Sequence, residues 1–310
     1  MKKSLLALAV LGAFAGAASA QSSVTIYGKL NIEAGKAVAS TDKSLMDVAG
    51  SRLGFRGVED LGGGLKATFG MEHRFSPQDG QANARFWNGY SKVGLQGNFG
   101  HIQMGRDYVV GFLMVQNQID PFGGDTQAAL RGVGMLQGGA RVRYESQIEY
   151  HLAANGFNLA AQVADSLAGN GGVDGKAFAL AANYAAGPLF VGLAYENGSD
   201  DDDKQVSFGA RYNFGFATLS AGLSKGTNAA GVDGKGWLIG ANVPVGAGDF
   251  KIGFANGDND AVAGKYKKIG IGYHYNLSKR TKVFADYAKV SGDEAVGPKT
   301  GYDFGIQHNF

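Results

Sequence analysis

The chain has no cysteine, and only five prolines and two tryptophans among its 310 residues. Without cysteine there is no disulfide framework, no thiolate nucleophile and no cysteine-bound metal. Scarce proline excludes a stiff Pro-rich linker. Charge of either sign in excess is also missing. Once Lys2 and Lys3 leave with the N-terminal leader, 29 − 2 = 27 Lys+Arg face 27 Asp+Glu, which gives no basic footprint for a nucleic acid. Past residue 20 no apolar run approaches the roughly 20 residues of a membrane helix. The five histidines, at 73, 101, 151, 274 and 308, show no metal-ligand spacing. There is no Gly-x-Ser-x-Gly elbow, and Gly62-Gly63-Gly64 lacks the Lys-Ser/Thr of a phosphate loop and reads as a turn. No enzyme, cofactor or metal site is expected.

What is abundant is glycine, 51 residues, over twice the usual share. High glycine with little proline fits strands and tight turns better than a disordered chain. The first 20 residues read as an export signal. Lys2 and Lys3 precede the apolar run Leu5–Ala15, and Ala18-Ser19-Ala20 is a small-residue cleavage site. Residues 21–310 then form one domain with a two-residue beat. Val24, Ile26, Gly28, Leu30 and Ile32 alternate with Thr25, Tyr27, Lys29, Asn31 and Glu33. Leu53 and Phe55 alternate with Arg52, Gly54 and Arg56, and Tyr302, Phe304, Ile306, His308 and Phe310 share one face of the last segment. A strand points successive side chains to opposite faces, so each segment has one apolar and one polar wall.

A magnitude assigns the faces. An arginine turned to lipid at mid-bilayer costs about 2–4 kcal/mol, so a strand carrying Arg52 and Arg56 would lose several against a net domain stability of about 5–15 kcal/mol. The charged face therefore meets water and the apolar face meets lipid. Compact turns (59–64, 98–100, 213–215, 276–280) alternate with long Gly/Asp/Asn-rich connections, as in a barrel with short turns at one rim and long loops at the other. At about 18 residues per strand and connection, 290 residues give about 16 strands. The fold class expected is all-β, a transmembrane antiparallel up-and-down barrel. The longest connection, 109–139, contains Asp120-Pro121-Phe122-Gly123-Gly124-Asp125, and a loop of that length in a compact domain is usually functional.

Ser51-Arg-Leu-Gly-Phe-Arg-Gly-Val-Glu-Asp-Leu-Gly-Gly-Gly-Leu-Lys-Ala-Thr-Phe69 resembles the second and third strands of trimeric general-diffusion porins of the β-proteobacterial type. Tyr27-Gly28, Val93-Gly94-Leu95, Gly105-Arg106, Asp120–Asp125, Arg143-Tyr144, Leu277–Thr281 and terminal Phe310 follow in family order. The resemblance implies a 16-stranded trimer in the outer membrane, among lipid and lipopolysaccharide, whose third long loop folds into the lumen. It also implies Phe310 as the signal read by the barrel assembly machinery. Carried over by position, the loop acids are Asp120 and Asp125, the basic wall is Arg52, Arg56 and Arg143, and Glu72 lies on an adjacent strand. Parity adds Lys29, Lys66, Arg74 and Arg141 to the interior, with Glu145 available to neutralise part of that charge. Two positions depart from the family pattern: Gly89 stands where an arginine is usual and Asn31 replaces an acid. The expected function is passive diffusion of small hydrophilic solutes and ions with mild anion preference, since arginine outnumbers acid on the wall. A substrate-specific anion channel (phosphate or organic acid) and a barrel serving as adhesin or receptor are the alternatives. The acidic run Asp200–Asp203 is a solvated loop tip or, alternatively, a divalent-cation site beside lipopolysaccharide.

Overall fold

The computed structural model describes residues 23–165, 176–198, 203–259, 265–292, 295 and 297–310. The leader expected over residues 1–20, and Asp200–Asp202, lie outside the described residues. Eighteen strands form one sheet: β1 (Ser23–Lys36), β2 (Lys43–Met46), β3 (Arg52–Gly62), β4 (Leu65–Ser76), β5 (Gln81–Ala82), β6 (Tyr90–Gly97), β7 (Gly100–Tyr108), β8 (Arg143–Ala154) and β9 (Phe157–Asp165) in its first half. The second half holds β10 (Lys176–Ala186), β11 (Leu189–Asn197), β12 (Lys204–Asn213), β13 (Thr218–Thr227), β14 (Asp233–Val245), β15 (Gly248–Asn259), β16 (Lys265–Asn276), β17 (Thr281–Ser291) and β18 (Thr300–Asn309). β2 and β5 are short pieces inside connections. The other sixteen pair antiparallel with their chain neighbours, and β1 closes on β18 in the register Lys29↔Asn309 to Lys36↔Tyr302. The expected 16-stranded barrel is therefore observed, and closure leaves no unpaired edge.

The seam is tight at its end. Gly28 and Phe310 exchange both backbone hydrogen bonds (3.0 and 3.1 Å). A Cβ on Gly28 would fall 2.2 Å from the Phe310 ring, so glycine makes room for the terminal aromatic. Turns of two to four residues join strands at one rim, for example 63–64, 98–99, 155–156 and 187–188, and the long connections gather at the other. Outward side chains are apolar and open to the surroundings: Val24, Ile26, Leu53, Val93, Leu193, Leu223, Ile239, Ile269 and Phe304 are all exposed. Their neighbours in sequence, such as Lys29, Asn31, Glu33, Gln162, Glu196 and Gln205, turn inward. The alternation is thus sorted by solvent, greasy outside and polar inside.

The 109–142 connection runs inside the barrel and is only partly helical: α1 (Val110–Met114), one 3₁₀ turn (Gln116–Gln118) and α2 (Arg131–Gly134). Its apolar underside holds Val109, Val115, Ile119, Leu130 and Met135, each at most 1% exposed. What receives them is a wall of small residues. Ala160, Ala179, Ala181 and Ala194 pack against α1, and inward glycines take over beyond it. Gly192, Gly209 and Gly222 lie directly opposite one another across β11, β12 and β13, and Gly240, Gly253 and Gly270 do the same across β14, β15 and β16. A Cβ on Gly209 would stand 2.5 Å from Ile119, on Gly253 2.5 Å from Leu130, and on Gly270 2.4 Å from the Ala128 carbonyl. Glycine inside a strand normally weakens it, and here it is the means by which a second layer of backbone lies close on the sheet. Burying each large apolar side chain is worth roughly 1.5–3 kcal/mol, so the belt converts missing side chains on the wall into anchorage of the loop.

Candidate functional site

The loop packs on the wall from β9 to β16 and reaches β18 through Gln127. Its path is pinned at both ends. At the start, Arg143, Tyr108, Phe112 and Arg131 form a column. The Arg143 guanidinium sits 4.1 Å over the Tyr108 ring, Tyr108 stacks on Phe112 at 5.6 Å, and Arg131 lies 4.8 Å over Phe112. At the tip, Lys29 Nζ on β1 meets Asp125 Oδ2 at 2.9 Å, Gln127 donates its backbone N–H to Asp303 (2.8 Å), and Lys251 donates to the Pro121 carbonyl (2.7 Å).

The two loop acids diverge. Asp125 reaches the wall, where its partner is Lys29. Asp120, expected beside it, is buried, and its carboxylate accepts N–H groups from Phe122 (2.9 Å), Leu130 (2.7 Å) and Arg131 (2.8 Å). Burial pushes this carboxyl above the usual carboxylate range, against the three donors that favour its charged form. Asp120 therefore ties the outgoing and returning legs of the loop together and does not face the arginines, a correction to its expected place. The physical reason is the Pro-Phe-Gly-Gly turn, which turns its carboxylate back onto the chain.

The wall residues separate into paired and unpaired cations. Glu72 holds Arg74 at 2.7 Å and accepts from the Tyr27 hydroxyl (3.0 Å). Lys92 is bonded to Asp107 and lies 3.8 Å from Glu149, and Arg106 bonds Glu145 at 2.7 Å. Arg85 also bonds Glu145. Arg52, Arg56 and Arg143 have no ion pair with a described carboxylate. Arg52 donates to the Gly50 and Ala49 carbonyls (3.0 and 2.7 Å), Arg56 lies 5.2 Å over the Tyr27 ring, and Arg143 donates to the Gly89 carbonyl (2.6 Å). Carbonyls and aromatic faces orient a guanidinium without cancelling its charge. Gly89, where the family pattern has an arginine, is thus where Arg143 delivers its guanidinium. A Cβ at position 89 would fall 2.5 Å from the Glu72 carboxylate, so a side chain there would have to displace Glu72.

Arg74 and Arg143 both donate to the Tyr108 hydroxyl at 2.6 Å. Arg141 is not a wall strand residue: it lies on the returning leg of the loop and pairs with Asp203 at 2.7 Å, so one acid of the 200–203 run is already occupied. Glu145 does neutralise interior arginines, but through Arg106 and Arg85, neither of which parity reading singled out for the wall. The strand register shifts between Gly105 and Asp107, with Gly105 at φ +134°, so simple alternation fails there.

Apolar outside, wet and charged inside, closed on itself and narrowed by an inward loop, the molecule is a membrane channel that crosses the bilayer with strands. The sequence matches the family model described as Gram-negative porin over residues 7–295, and the chain belongs to that family. It is 35% identical, over 355 aligned positions covering both chains in full, to outer membrane porin protein 32 of Delftia acidovorans. Its fold superimposes on an anion-selective porin from Comamonas acidovorans with a TM-score of 0.75 at 30% identity, covering 94% of this chain and 100% of that one. It likewise superimposes on the trimer form of OmpT from Vibrio cholerae (TM-score 0.72, 15% identity, 93% and 99% covered), a likeness of fold. The protein is an outer-membrane porin, a channel for passive diffusion.

Proposed function

We propose that the channel passes small hydrophilic solutes with mild preference for anions, filtered between the inward loop and the wall of Arg52, Arg56 and Arg143. The observation that carries this is the asymmetry of pairing. The loop's acids are engaged, Asp125 by Lys29 and Asp120 by its own backbone, while these three arginines keep uncompensated charge toward water. In a passage comparable to the Debye length of about 8–10 Å, such charge is only partly screened. The relative from Comamonas acidovorans, described as anion-selective, supports the sign. Glu72 with Arg74 on the wall and Arg141 with Asp203 at the returning leg of the loop are ion pairs with less net effect. Reversal potentials in a salt gradient across a planar bilayer test the proposal. A chloride-ward potential and conductance linear in salt are expected. A cation-ward potential overturns the preference, and saturation blocked by phosphate or an organic acid would make the channel substrate-specific.

The same reading takes the functional unit as a homotrimer, supported by the trimeric relative of the same fold. Unheated gel migration near three chain masses is expected, and a monomer in mild detergent overturns it.

A further inference from the structure

On the short-turn side of the loop the lumen widens into a cavity of about 750 Å³ between β6–β12 and the end of α1. Its lining is mostly amide, glycine and apolar, including Asn158, Asn183 and Phe190. Only three lining residues are ionisable: His101, His151 and Arg211. Arg211 is a fixed charge, 5.2 Å over the Phe190 ring and donating to the Gln118 carbonyl at 2.8 Å. The two histidines are direct cross-strand partners on β7 and β8, with ring centroids 6.5 Å apart.

Polar and charged groups face the pair from three strands. β4 presents Thr68, whose hydroxyl lies 2.9 Å from His101 Nε2, with exposed Lys66 toward the rim. β6 presents Lys92, which is bonded to Asp107 of β7. β8 presents Glu149, 3.5 Å from His151 Nε2 and shared with Lys92 (3.8 Å) and the Gln103 amide (2.9 Å). The one carboxylate in reach is thus divided among several donors. Imidazole changes charge between about pH 5 and 8, whereas the arginines of the constriction stay charged throughout. Each ring that takes a proton adds one positive charge to a lining whose formal charge is otherwise +1.

We propose that His101 and His151 are selectivity-determining residues, a proton-set second filter in series with the arginine constriction. Acidifying the short-turn side strengthens anion preference by adding charge where the lining has only Arg211. This rests on the channel reading above, and the test separates the two. Channels inserted in one orientation are held in a salt gradient at 0.1 M, and each side is taken in turn from pH 8 to pH 5.5. Two unit charges at such a mouth, partly screened, raise the anion-to-cation permeability ratio about two- to threefold, with the larger effect from the short-turn side. His101→Gln/His151→Gln keeps the parent conductance and ratio at pH 8 and loses most of that rise, while each single variant keeps about half. Wall carboxylates remain in the variants, so a full response in the double variant overturns the proposal and assigns the titration to them. A flat response in the parent also overturns it. Should the double variant fail to assemble, the singles decide: an undiminished rise in both is negative. No conductance at any pH instead refutes the channel itself.

Discussion

The two halves of the barrel wall share one hydrogen-bonding pattern and one outward face of valine, leucine, isoleucine and phenylalanine. They differ inside. From β9 to β16 alanines and glycines lie buried under the apolar side of the loop, among polar residues such as Gln162, Glu196, Gln205 and Lys251 that hydrogen-bond to it. From β1 to β8 the inner positions carry lysine, arginine and tyrosine together with buried acids and amides such as Glu33, Glu72, Asp107, Glu149 and Gln103. One half is a seat and the other is a filter. Side-chain volume on the first half seats the loop, and side-chain charge on the second is what the proposed selectivity rests on. The column Arg143–Tyr108–Phe112–Arg131 and the Lys29–Asp125 pair are two of the places where the loop is joined to the charged half.

Filling the seat is the harshest way to break this division. Gly270→Val drives a side chain against the Ala128 carbonyl, and Gly253→Leu meets Leu130. Overpacking of this kind costs about 1–3 kcal/mol per site, and the double substitution should push the loop into the lumen and lower single-channel conductance, while gel mobility still reports a closed barrel. The seam between the halves is next. Gly28→Ala collides with the terminal ring, so the yield of heat-modifiable barrel after refolding should drop, with partial recovery when Phe310→Leu is added. On the filter half, Arg52→Ala, Arg56→Ala and Arg143→Ala remove uncompensated charge. A unit charge about 8 Å from a permeant ion in water is worth about 0.5 kcal/mol, so each should lower the anion-to-cation ratio about twofold, with conductance less affected. Asp125→Asn sharpens the comparison in the opposite sense: Lys29 loses its partner and the ratio should rise by up to about twofold. The smallest effect on current is expected from Tyr108→Phe, which removes a hydroxyl shared by two guanidiniums but leaves the ring on which Arg143 rests.

Much of this was legible in the residues. Alternation gave the outward and inward faces, because a two-residue period is a property of the strand and needs no partner. The arginine cost in lipid then chose which face was wet. Arg52, Arg56 and Arg143 could be proposed for the wall on the same ground, since inner parity is a local property. The seat was not read. Abundant glycine points only to strands and tight turns in general, although Gly192, Gly209, Gly222, Gly240, Gly253 and Gly270 recur at one parity within their segments, which is the signal of a close backbone approach. Asp120 was misplaced because its partners are backbone N–H groups, and ten residues separate it from Leu130. Glu145 is legible by parity as a neutralising acid, but its partner Arg106 is not, because the bulge at Gly105 resets the parity that would place it on the inner wall.

The absence of native cysteine makes the central claim open to a direct test. Ile119→Cys and Gly209→Cys place one thiol on the underside of the loop and one on the glycine wall beneath it, where a Cβ at 209 already lies 2.5 Å from Ile119. Oxidation should join them, with the conductance and reversal potential of the joined channel matching those of the reduced one. Failure of the pair to close while both thiols react freely with a water-soluble reagent, or a channel whose current changes when they do close, would contradict a loop seated on that wall.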